Sequence, residues 1–265
     1  MTPLSTTMLA ALGTTVAAFL VLWVVGTRRR DVSIVDSYWG LGFVIVTWQS
    51  LALNGFDRWR PVLLATLTTV WGVRLGMHVF ARNVAHGEDR RYTAMRKPHG
   101  ERFWWVSLFT VFLLQAVIMW FLAWPLLVAS ASNQSRAFHW LDAVGIACWT
   151  IGFFFEAVGD WQLARFKANP LNRERVMDQG LWRYTRHPNY FGECLLWWGV
   201  YLVACVDGAS WTILSPVLLT YLLLRVSGVT MLEADIADRR PGYREYKTTT
   251  NAFFPGPRKS SRSMS

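Results

Sequence analysis

Long apolar stretches separated by short polar segments dominate the pattern along this chain. A transmembrane helix needs about 20 predominantly apolar residues to cross the hydrocarbon core of a bilayer. Seven stretches approach that length, and they cover residues 8–26, 35–53, 61–80, 103–128, 140–159, 190–206 and 211–229. The pattern therefore predicts an all-α integral membrane protein, a seven-transmembrane helix bundle that forms a single membrane domain over residues 1–265.

The basic residues between these stretches are distributed unevenly. If the N-terminus lies outside, the cytoplasmic segments 27–34, 81–102, 160–189 and 230–265 hold 22 of the 27 Lys and Arg residues, and the outer connections hold 3. Cytoplasmic loops of membrane proteins carry such an excess of positive charge. The charge pattern predicts an outside N-terminus and a cytoplasmic C-terminus. Residues 230–265 are then a cytoplasmic tail, and we expect its end to be disordered.

Composition strengthens the membrane interpretation and removes others. The chain is 53% hydrophobic and only 17% charged, against roughly 25% charged residues in soluble domains. The net charge of +10 is explained by the basic cytoplasmic loops, so we expect no nucleic-acid partner and infer no protein partner. The three cysteines lie in or beside apolar runs without metal-ligand spacing, so no metal site is expected. We expect a multi-pass protein of a bacterial inner (cell) membrane, in contact with membrane lipids.

Two carboxylates lie at the inner end of the fifth predicted span, within the sequence "FFFEAVGDWQLARFK". Glu156 and Asp160 are four residues apart, so they share one face of a helix. They pair with Arg165 and Lys167 at the membrane interface, or they accept hydrogen bonds from the hydroxyl or amide groups of a ligand. Ionisable groups in membrane segments favour the functional interpretation.

A basic loop joins the fifth and sixth spans, and it is also rich in Asn, Tyr and His. Arginine side chains hold phosphates in bidentate geometry, and Asn and Tyr suit ribose and amide groups. This inventory fits a phosphorylated adenine cofactor, and anionic lipid headgroups are the alternative. The residues predicted to bind a cofactor are Glu156, Asp160, Arg165, Lys167, Arg173, Arg175, Tyr184, His187, Asn189, Tyr190, Glu193 and Arg225.

The sequence "IVDSYWG" places Asp36 and Tyr38 at the inner mouth of the second span. A carboxyl group and a phenol beside a dry pocket make a proton-donor set. Asp36 is also suited to capping the helix N-terminus, which would be a purely structural role.

Several of these motifs resemble a known family. The sequence "GLWRYTRHPNYFGE", followed by two spans and "RRPGYREYKTTTNAFFP", resembles the C-terminal domain of the steroid 5α-reductase family. The sequences "SIVDSYWG", "WGVRLGMHVFARN" and "GEDRRYTAMR" resemble its bacterial branch, formerly a DUF1295-like domain of unknown function. The resemblance covers about residues 30–257. It implies an oxidoreductase that uses NADPH to reduce the C=C bond of an α,β-unsaturated ketone in a steroid-like or other lipid substrate.

The resemblance also implies roles for particular residues. Asn189 and Glu193 match the cofactor-contacting Asn and Glu of the family's N-x-x-G-E motif, and Asp160 matches an acidic cofactor ligand. Other matches are less direct: Lys167 falls at a basic position, Glu156 stands where eukaryotic members have Asn, and Arg175, Tyr184 and Arg225 align with further cofactor contacts. The family's substrate-holding Glu falls near Asp36. Its Tyr falls near Trp71, which lacks a phenolic proton, so Tyr38 is the expected substitute.

Two alternatives remain open. The RHPxYxG pattern is shared with the isoprenylcysteine and phospholipid methyltransferases, which use S-adenosylmethionine. The sequence "MLEADIADRRPGYREY" keeps Glu233 and the Tyr spacing but lacks the adjacent glutamate pair typical of those enzymes. A non-catalytic lipid-binding or transport membrane protein is the second alternative.

Overall fold

A computed structural model describes residues 2–134, 137–226, 228–230, 233, 236, 240 and 242–259. Every regular element within these residues is helical, which confirms the all-α prediction. The chain divides into two compact units. Unit 1 comprises Met1–His139 and Val203–Ser215, and unit 2 comprises Trp140–Leu202 and Pro216–Ser265.

Unit 1 is built mainly from seven α-helices. They are α1 (Pro3–Arg29), α2 (Ile34–Asn54), α3 (Trp59–His86), α4 (Arg90–Arg96), α5 (Phe103–Ser107), α6 (Leu114–Leu122) and α7 (Trp124–Ala131). A 3-10 turn (Gly100–Arg102) leads into α5, and a π-helix (Leu108–Leu113) joins α5 to α6. A second 3-10 turn (Ala209–Ile213) belongs to the same unit.

Glycines allow α2 and α3 to pack closely. A Cβ atom added to Gly40 would lie 2.5 Å from the carbonyl oxygen of Gly72, and one added to Gly72 would meet Gly40 in the same way. Small residues at such crossings let helix backbones approach, which is how helices associate in lipid. Phe43 and Trp71 are buried beside this crossing and contact each other edge-on.

A buried ion pair ties the segment Val203–Ser215 to α3. Arg60 Nη1 lies 2.6 Å from Asp207 Oδ1, and both side chains are almost fully buried. Arg58, just before α3, donates hydrogen bonds to the carbonyl groups of Ser130 and Ser132 at the end of α7. Carbonyls at a helix C-terminus lack partners within the helix, so this arginine satisfies them.

Among the described residues, unit 2 has three α-helices of its own. They are α8 (Trp140–Ala168), α9 (Pro188–Cys205), whose last turn continues into unit 1, and α11 (Tyr243–Thr249). Between unit 1 and α11, α10 (Leu214–Tyr221) runs into a π-helix (Leu222–Val226). Two 3-10 turns, Pro170–Asn172 and Gly180–Arg183, lie in the connection between α8 and α9.

Among the described residues, five helical segments are long and apolar enough to cross a membrane by length and composition. They are Pro3–Arg29, Trp59–Val84, Gly100–Leu122, Trp140–Ala168 and Ala209–Val226. The structure thus supports the membrane-helix character of the chain, whereas seven spans and the orientation of the termini stay predictions. The other two predicted spans form α2 and α9, which are 21 and 18 residues long but less apolar.

The fourth predicted span, 103–128, differs from the observed helices. The helical segment that starts at Gly100 ends at Leu122, and α7 begins anew at Trp124 with Pro125 in its first turn. Proline lacks an amide proton and suits the first turn of a helix, so it marks a new start. The predicted disorder at residues 260–265 lies outside the described residues.

Candidate functional site

The two long helices of unit 2 pack against each other through glycines. On α8 these are Gly145, Gly152 and Gly159, and on α9 they are Gly192 and Gly199. A Cβ atom on Gly199 would lie 2.5 Å from the oxygen of Gly145, and one on Gly152 would lie 2.6 Å from the oxygen of Gly192. The two backbones are therefore in direct contact, and the polar side chains beside the glycines are brought close together.

A polar pair forms at the end of this contact. Asn189, in the first turn of α9, donates a hydrogen bond of 3.1 Å from Nδ2 to Asp160 Oδ1. Because the Asp160 carboxylate only accepts hydrogen bonds, the Asn189 atom that contacts it is the donor Nδ2. The second polar atom of the carboxamide is the oxygen Oδ1. That oxygen is buried and has no hydrogen-bond partner among the described residues. Glu156 lies one turn before Asp160 and is 2% exposed, and Glu193 lies one turn after Asn189.

The turn that leads into α9 is held against α8. Gly180 adopts φ of +58°, a conformation that favours glycine, and the next amide, that of Leu181, donates to Gln162 Oε1. The indole of Trp182 donates to the carbonyl of Gly159 over 3.0 Å. The first turn of α9 is thereby fixed beside the carboxylates of α8.

Glu233 lies at the centre of a buried cluster in unit 2. Arg186 binds it in bidentate fashion, with Nε–Oε1 and Nη2–Oε2 distances of 2.7 and 3.1 Å. His187 Nε2 lies 3.0 Å from Oε1, and the phenol of Tyr243 donates to the same oxygen over 3.1 Å. Burial acts to raise the pKa of Glu233, but hydrogen bonds from His187 and Arg186 outweigh it, and the pKa lies well below its ordinary value.

The C-terminal segment wraps the same turn. The Arg186 amide donates to the carbonyl of Asn251, and its guanidinium donates to the carbonyls of Lys247 and Thr250. The Tyr246 hydroxyl donates to the carbonyl of Trp182 over 2.5 Å. Arg186 therefore acts as a structural link between the start of α9 and α11, and its guanidinium is fully engaged within the protein.

The structure separates the predicted cofactor residues into two groups. The buried or half-buried group lies along α8 and α9 and comprises Glu156, Asp160, His187, Asn189, Tyr190 and Glu193. The exposed group lies in the last turn of α8, on the α8–α9 connection and in the π-helix after α10, and it comprises Arg165, Lys167, Arg173, Arg175, Tyr184 and Arg225. Within the first group, His187 stacks on Tyr190 and is engaged by Glu233, so it contributes to the cluster of that glutamate.

A second polar cluster lies in unit 1 and contains Asp36. Tyr92 donates a 2.6 Å hydrogen bond to Asp36 Oδ1, and Arg91 Nη2 lies 2.6 Å from Oδ2. Gln115 donates to the Tyr92 oxygen over 3.3 Å, and Arg91 also contacts Asp89. Three segments thus converge on one carboxylate: the start of α2, α4 and the start of α6.

The ionisation of this cluster follows from its contacts. Burial raises the pKa of Tyr92, and the neighbouring Asp36 carboxylate raises it further. Burial acts to raise the pKa of Asp89 as well, but its side-chain and backbone hydrogen bonds with Arg91 outweigh this and lower it. The phenol therefore keeps its proton, and the arginine keeps its charge.

Tyr38, the phenol that the sequence pairs with Asp36, has a different neighbour. Its ring contacts Phe19 edge-on at a centroid distance of 5.7 Å. The phenol that hydrogen-bonds to Asp36 is Tyr92, which lies in the charged sequence "GEDRRY" and was not predicted as a site residue. Arg186 and Glu233 were likewise not predicted as a pair. The position of Tyr92 directly after a run of charged residues was the one local feature of the sequence that could have indicated a role for it.

These observations define a helical protein with membrane-spanning character and two buried polar clusters. Comparison with known proteins places it further. The model of the family described as "Protein of unknown function (DUF1295)" matches residues 22–250, and the chain belongs to that family. The chain is similar to the uncharacterised protein C594.04c of Schizosaccharomyces pombe. The two are 27% identical over an alignment of 266 positions that covers 89% of this chain and 76% of the relative. No solved structure matches significantly.

Proposed function

We propose that this protein is a membrane oxidoreductase that uses NADPH to reduce the C=C bond of an α,β-unsaturated ketone in a steroid-like or other lipid substrate. The observation that carries the proposal is the carboxamide of Asn189, hydrogen-bonded to Asp160 while its own buried oxygen has no partner among the described residues. A buried acceptor without a partner is costly, and it is typical of a ligand site. The motif around it, "RHPNYFGE", resembles the cofactor motif of the steroid 5α-reductase family.

The residues of unit 2 fit the polar groups of NADPH. The Asn189 oxygen and the carboxylates of Asp160, Glu156 and Glu193 accept hydrogen bonds, which suits the amide and hydroxyl groups of the cofactor. Exposed basic side chains in the last turn of α8 and on the α8–α9 connection suit its phosphates, and they are Arg165, Lys167, Arg173 and Arg175. When bound, NADPH supplies the hydride.

The cluster around Asp36 in unit 1 provides the proposed proton donor. The Tyr92 hydroxyl hydrogen-bonds to the carboxylate, and the Gln115 amide donates to the phenolic oxygen, so this proton has a fixed position. A proton held in place beside a developing enolate lowers the barrier by general acid catalysis. Arg91 compensates the charge of Asp36. We propose Asp36 with Tyr92 as the donor set, and Tyr38 stays the candidate from the sequence.

The proposal includes the membrane topology inferred from the sequence. The five apolar segments together with α2 and α9 make seven spans, with the N-terminus outside and the C-terminus in the cytoplasm, in a bacterial inner membrane. Both α2 and α9 carry ionisable residues in their first turns or just beyond. Such residues lower the mean hydropathy of a span, and they are typical of functional sites within membranes.

Thermal unfolding of the purified protein in detergent micelles tests the cofactor. We expect NADPH to raise the unfolding midpoint in a concentration-dependent manner, because a ligand that binds the folded state stabilises it. Asn189→Ala and Glu193→Gln should each weaken this effect at least tenfold in apparent Kd, whereas Asn133→Ala, an exposed residue of unit 1, should leave it unchanged. A shift with S-adenosylmethionine instead would favour a methyltransferase, and no shift with either nucleotide would favour the lipid-binding or transport alternative.

The same preparation tests the proton donor once NADPH binding is established. With a 3-oxo-4-ene steroid as the probe substrate, loss of NADPH absorbance reports turnover. Asp36→Asn should lower turnover by about 10² or more while leaving the apparent Kd for NADPH unchanged. Tyr92→Phe should lower it more than Tyr38→Phe, and wild-type turnover in Asp36→Asn would exclude this residue as the acid.

A further inference from the structure

A strongly basic surface lies where α1 ends in unit 1. Residues 28–36 and 81–102 together carry nine Lys or Arg residues against five Asp or Glu residues. The exposed basic side chains of this surface, which we call the basic corner, are Arg28, Arg29, Arg30, Arg90, Lys97 and Arg102. The corner consists of the end of α1, α4 and the 3-10 turn that leads into α5.

The acidic residues of the same segments are mostly directed into the fold. Asp36 and Asp89 are bound by Arg91, and Glu88 is bound by Arg96 over 2.6 Å. The side chains of Asp36, Glu88 and Asp89 are between 16 and 22% exposed. Arg82 also lies within ion-pair distance of Asp89, so three arginines pair with these three carboxylates and the positive charge of the corner is left facing outward.

The corner is held together by specific contacts. Arg96 Nη2 donates to the carbonyl of Arg30 as well as to Glu88, and its guanidinium lies over the ring of Phe103 at 4.7 Å. Trp23 of α1 stacks on Trp104, and its indole donates to the Trp104 carbonyl over 2.7 Å. The end of α1, α4 and the start of α5 therefore present their basic residues as one surface.

Exposed tryptophans adjoin the basic residues. Trp104 and Trp105 lie two and three residues after Arg102, and they are 52 and 45% exposed. They stand at the beginning of the apolar segment Gly100–Leu122, which is long enough to cross a membrane. Tryptophan is enriched at the level of lipid headgroups, where its ring is partly buried and its indole N–H reaches polar groups.

We propose that the basic corner binds the phosphate-bearing headgroup of an anionic phospholipid, with Trp104 and Trp105 at the boundary between headgroups and acyl chains. A soluble phosphate compound would not use the exposed indole rings, whereas a lipid contacts the rings and the basic residues at once. Each Lys or Arg near an anionic membrane surface strengthens binding by about fivefold. The inference uses residues of unit 1 outside the NADPH site and does not depend on the proposed reductase activity.

Thermal unfolding in dodecyl maltoside micelles doped with phosphatidylglycerol or phosphatidylcholine tests the site. Phosphatidylglycerol should raise the unfolding midpoint at mole fractions at which phosphatidylcholine has no effect. The triple variant Arg90→Gln/Lys97→Gln/Arg102→Gln should need at least tenfold more phosphatidylglycerol for the same shift. Arg28, Arg29 and Arg30 are left in place because a basic run beside a span helps to set its orientation.

A matched triple variant in unit 2 controls for net charge. Arg183→Gln/Arg244→Gln/Lys259→Gln removes the same charge from exposed positions outside the proposed cofactor site, and it should respond to phosphatidylglycerol like the wild type. Equal loss in both variants would overturn a specific site, as would equal shifts with the two lipids. An equal shift with inorganic phosphate would assign the surface to soluble anions instead of lipid.

A measurement on the wild type alone covers the case in which the first triple variant does not fold. Dibrominated phosphatidylglycerol should quench tryptophan fluorescence more strongly than dibrominated phosphatidylcholine at the same mole fraction, because Trp104 and Trp105 would lie beside the bound lipid. High salt should reduce this difference by screening the exposed charges. Equal quenching by the two lipids at low salt would contradict the proposal.

Discussion

Glu233 is contacted by several side chains of unit 2. Arg186, His187 and Tyr243 all hydrogen-bond to its carboxylate, and Lys247 Nζ lies 3.4 Å away. Its side chain is 8% exposed, so these partners replace nearly all of its hydration. The residue joins the turn that begins α9 to the C-terminal segment, and we expect the fold of this region to depend on its charge.

Glu233→Gln should therefore destabilise the protein and alter its response to acid. The pKa of Glu233 is lowered in the folded state, so its stabilising contribution is present above the unfolded pKa of about 4.3 and is lost as the pH falls towards the folded pKa. Breaking a buried ion pair costs about 3 kcal/mol at neutral pH. Unfolding midpoints in detergent should fall below about pH 4.5 in the wild type and should fall less in the variant.

Glu245→Gln provides the control, because Glu245 is exposed on α11. Its free energy of unfolding should lie within about 0.5 kcal/mol of the wild-type value, and its stability should respond to acid as that of the wild type does. If Glu233→Gln were as stable as Glu245→Gln at neutral pH, the cluster around Glu233 would not stabilise the fold.

Among the helices, α8 and α9 show how the sequence positions polar groups within an apolar unit. Gly145, Gly152 and Gly159 follow one another at intervals of seven, as do Gly192 and Gly199. Seven residues are nearly two turns, so each set stays on one face of its helix with a drift of about 20° per interval. The two sets meet in antiparallel order, and the contact ends where Gly159 packs on Pro188 and Asn189.

Gly192→Ala should disrupt this contact. The added Cβ atom would clash with backbone atoms of Gly152 and Glu156, and backbone cannot rotate away as a side chain does. We expect a loss of about 2 kcal/mol or more of stability, together with weaker NADPH binding, because α9 carries Asn189. The unfolding midpoint and the NADPH titration measure the two effects.

Gly13→Ala is the matched control for that substitution. Gly13 also lies within a helix, but a Cβ atom there meets nothing within 4 Å. Alanine favours the helix by about 1 kcal/mol over glycine, so this variant should be as stable as the wild type or more stable. Equal stability of Gly192→Ala and the wild type would show that α8 and α9 do not depend on close backbone contact.

The sequence predicted helices well because their signal is local. An apolar run of about 20 residues is read directly, and all seven predicted stretches are predominantly helical in the structure. The break between Leu122 and Trp124 was missed because the hydropathy of both flanking segments is high, although Pro125 marks it. The glycine spacing of α8 and α9 is also visible in the sequence. The sequence does not show which helix each set of glycines packs against.

At the scale of the whole molecule, the polar clusters were only partly predictable. Glu156 and Asp160 share a helix, so their spacing placed them together. Asp36 and Tyr92 are 56 residues apart, and Arg186 and Glu233 are 47 apart. Residue types and local spacing do not encode such pairs, because they depend on which elements pack together. Tyr38 was predicted because it lies two residues after Asp36 in the sequence, although residues two apart on a helix do not face each other.

The last prediction concerns the membrane topology of the whole chain. Five helical segments qualify as spans by composition, and the proposal adds α2 and α9. If α2 crosses the membrane, the connection that contains Asp57 lies on the same side as the N-terminus. If α9 crosses, the turn that contains Ser210 lies there too. If α2 does not cross, Asp57 and the N-terminus lie on opposite sides of the membrane. If α9 does not cross, Ser210 lies on the side that holds Glu174, on the α8–α9 loop.

Cysteine labelling in intact cells distinguishes these cases. In a background without Cys148, Cys194 and Cys205, a membrane-impermeant maleimide should label Asp57→Cys and Ser210→Cys directly, since both positions are exposed. Glu174→Cys should react only after the membrane is permeabilised. We expect this direction because the 22 Lys and Arg residues assigned to the cytoplasmic segments resist translocation. Thr2→Cys, an exposed position before α1, should react like Asp57→Cys, and a difference between the two would show that α2 does not span the bilayer. Protection of Ser210→Cys together with Glu174→Cys would show the same for α9, because α9 alone lies between these two positions.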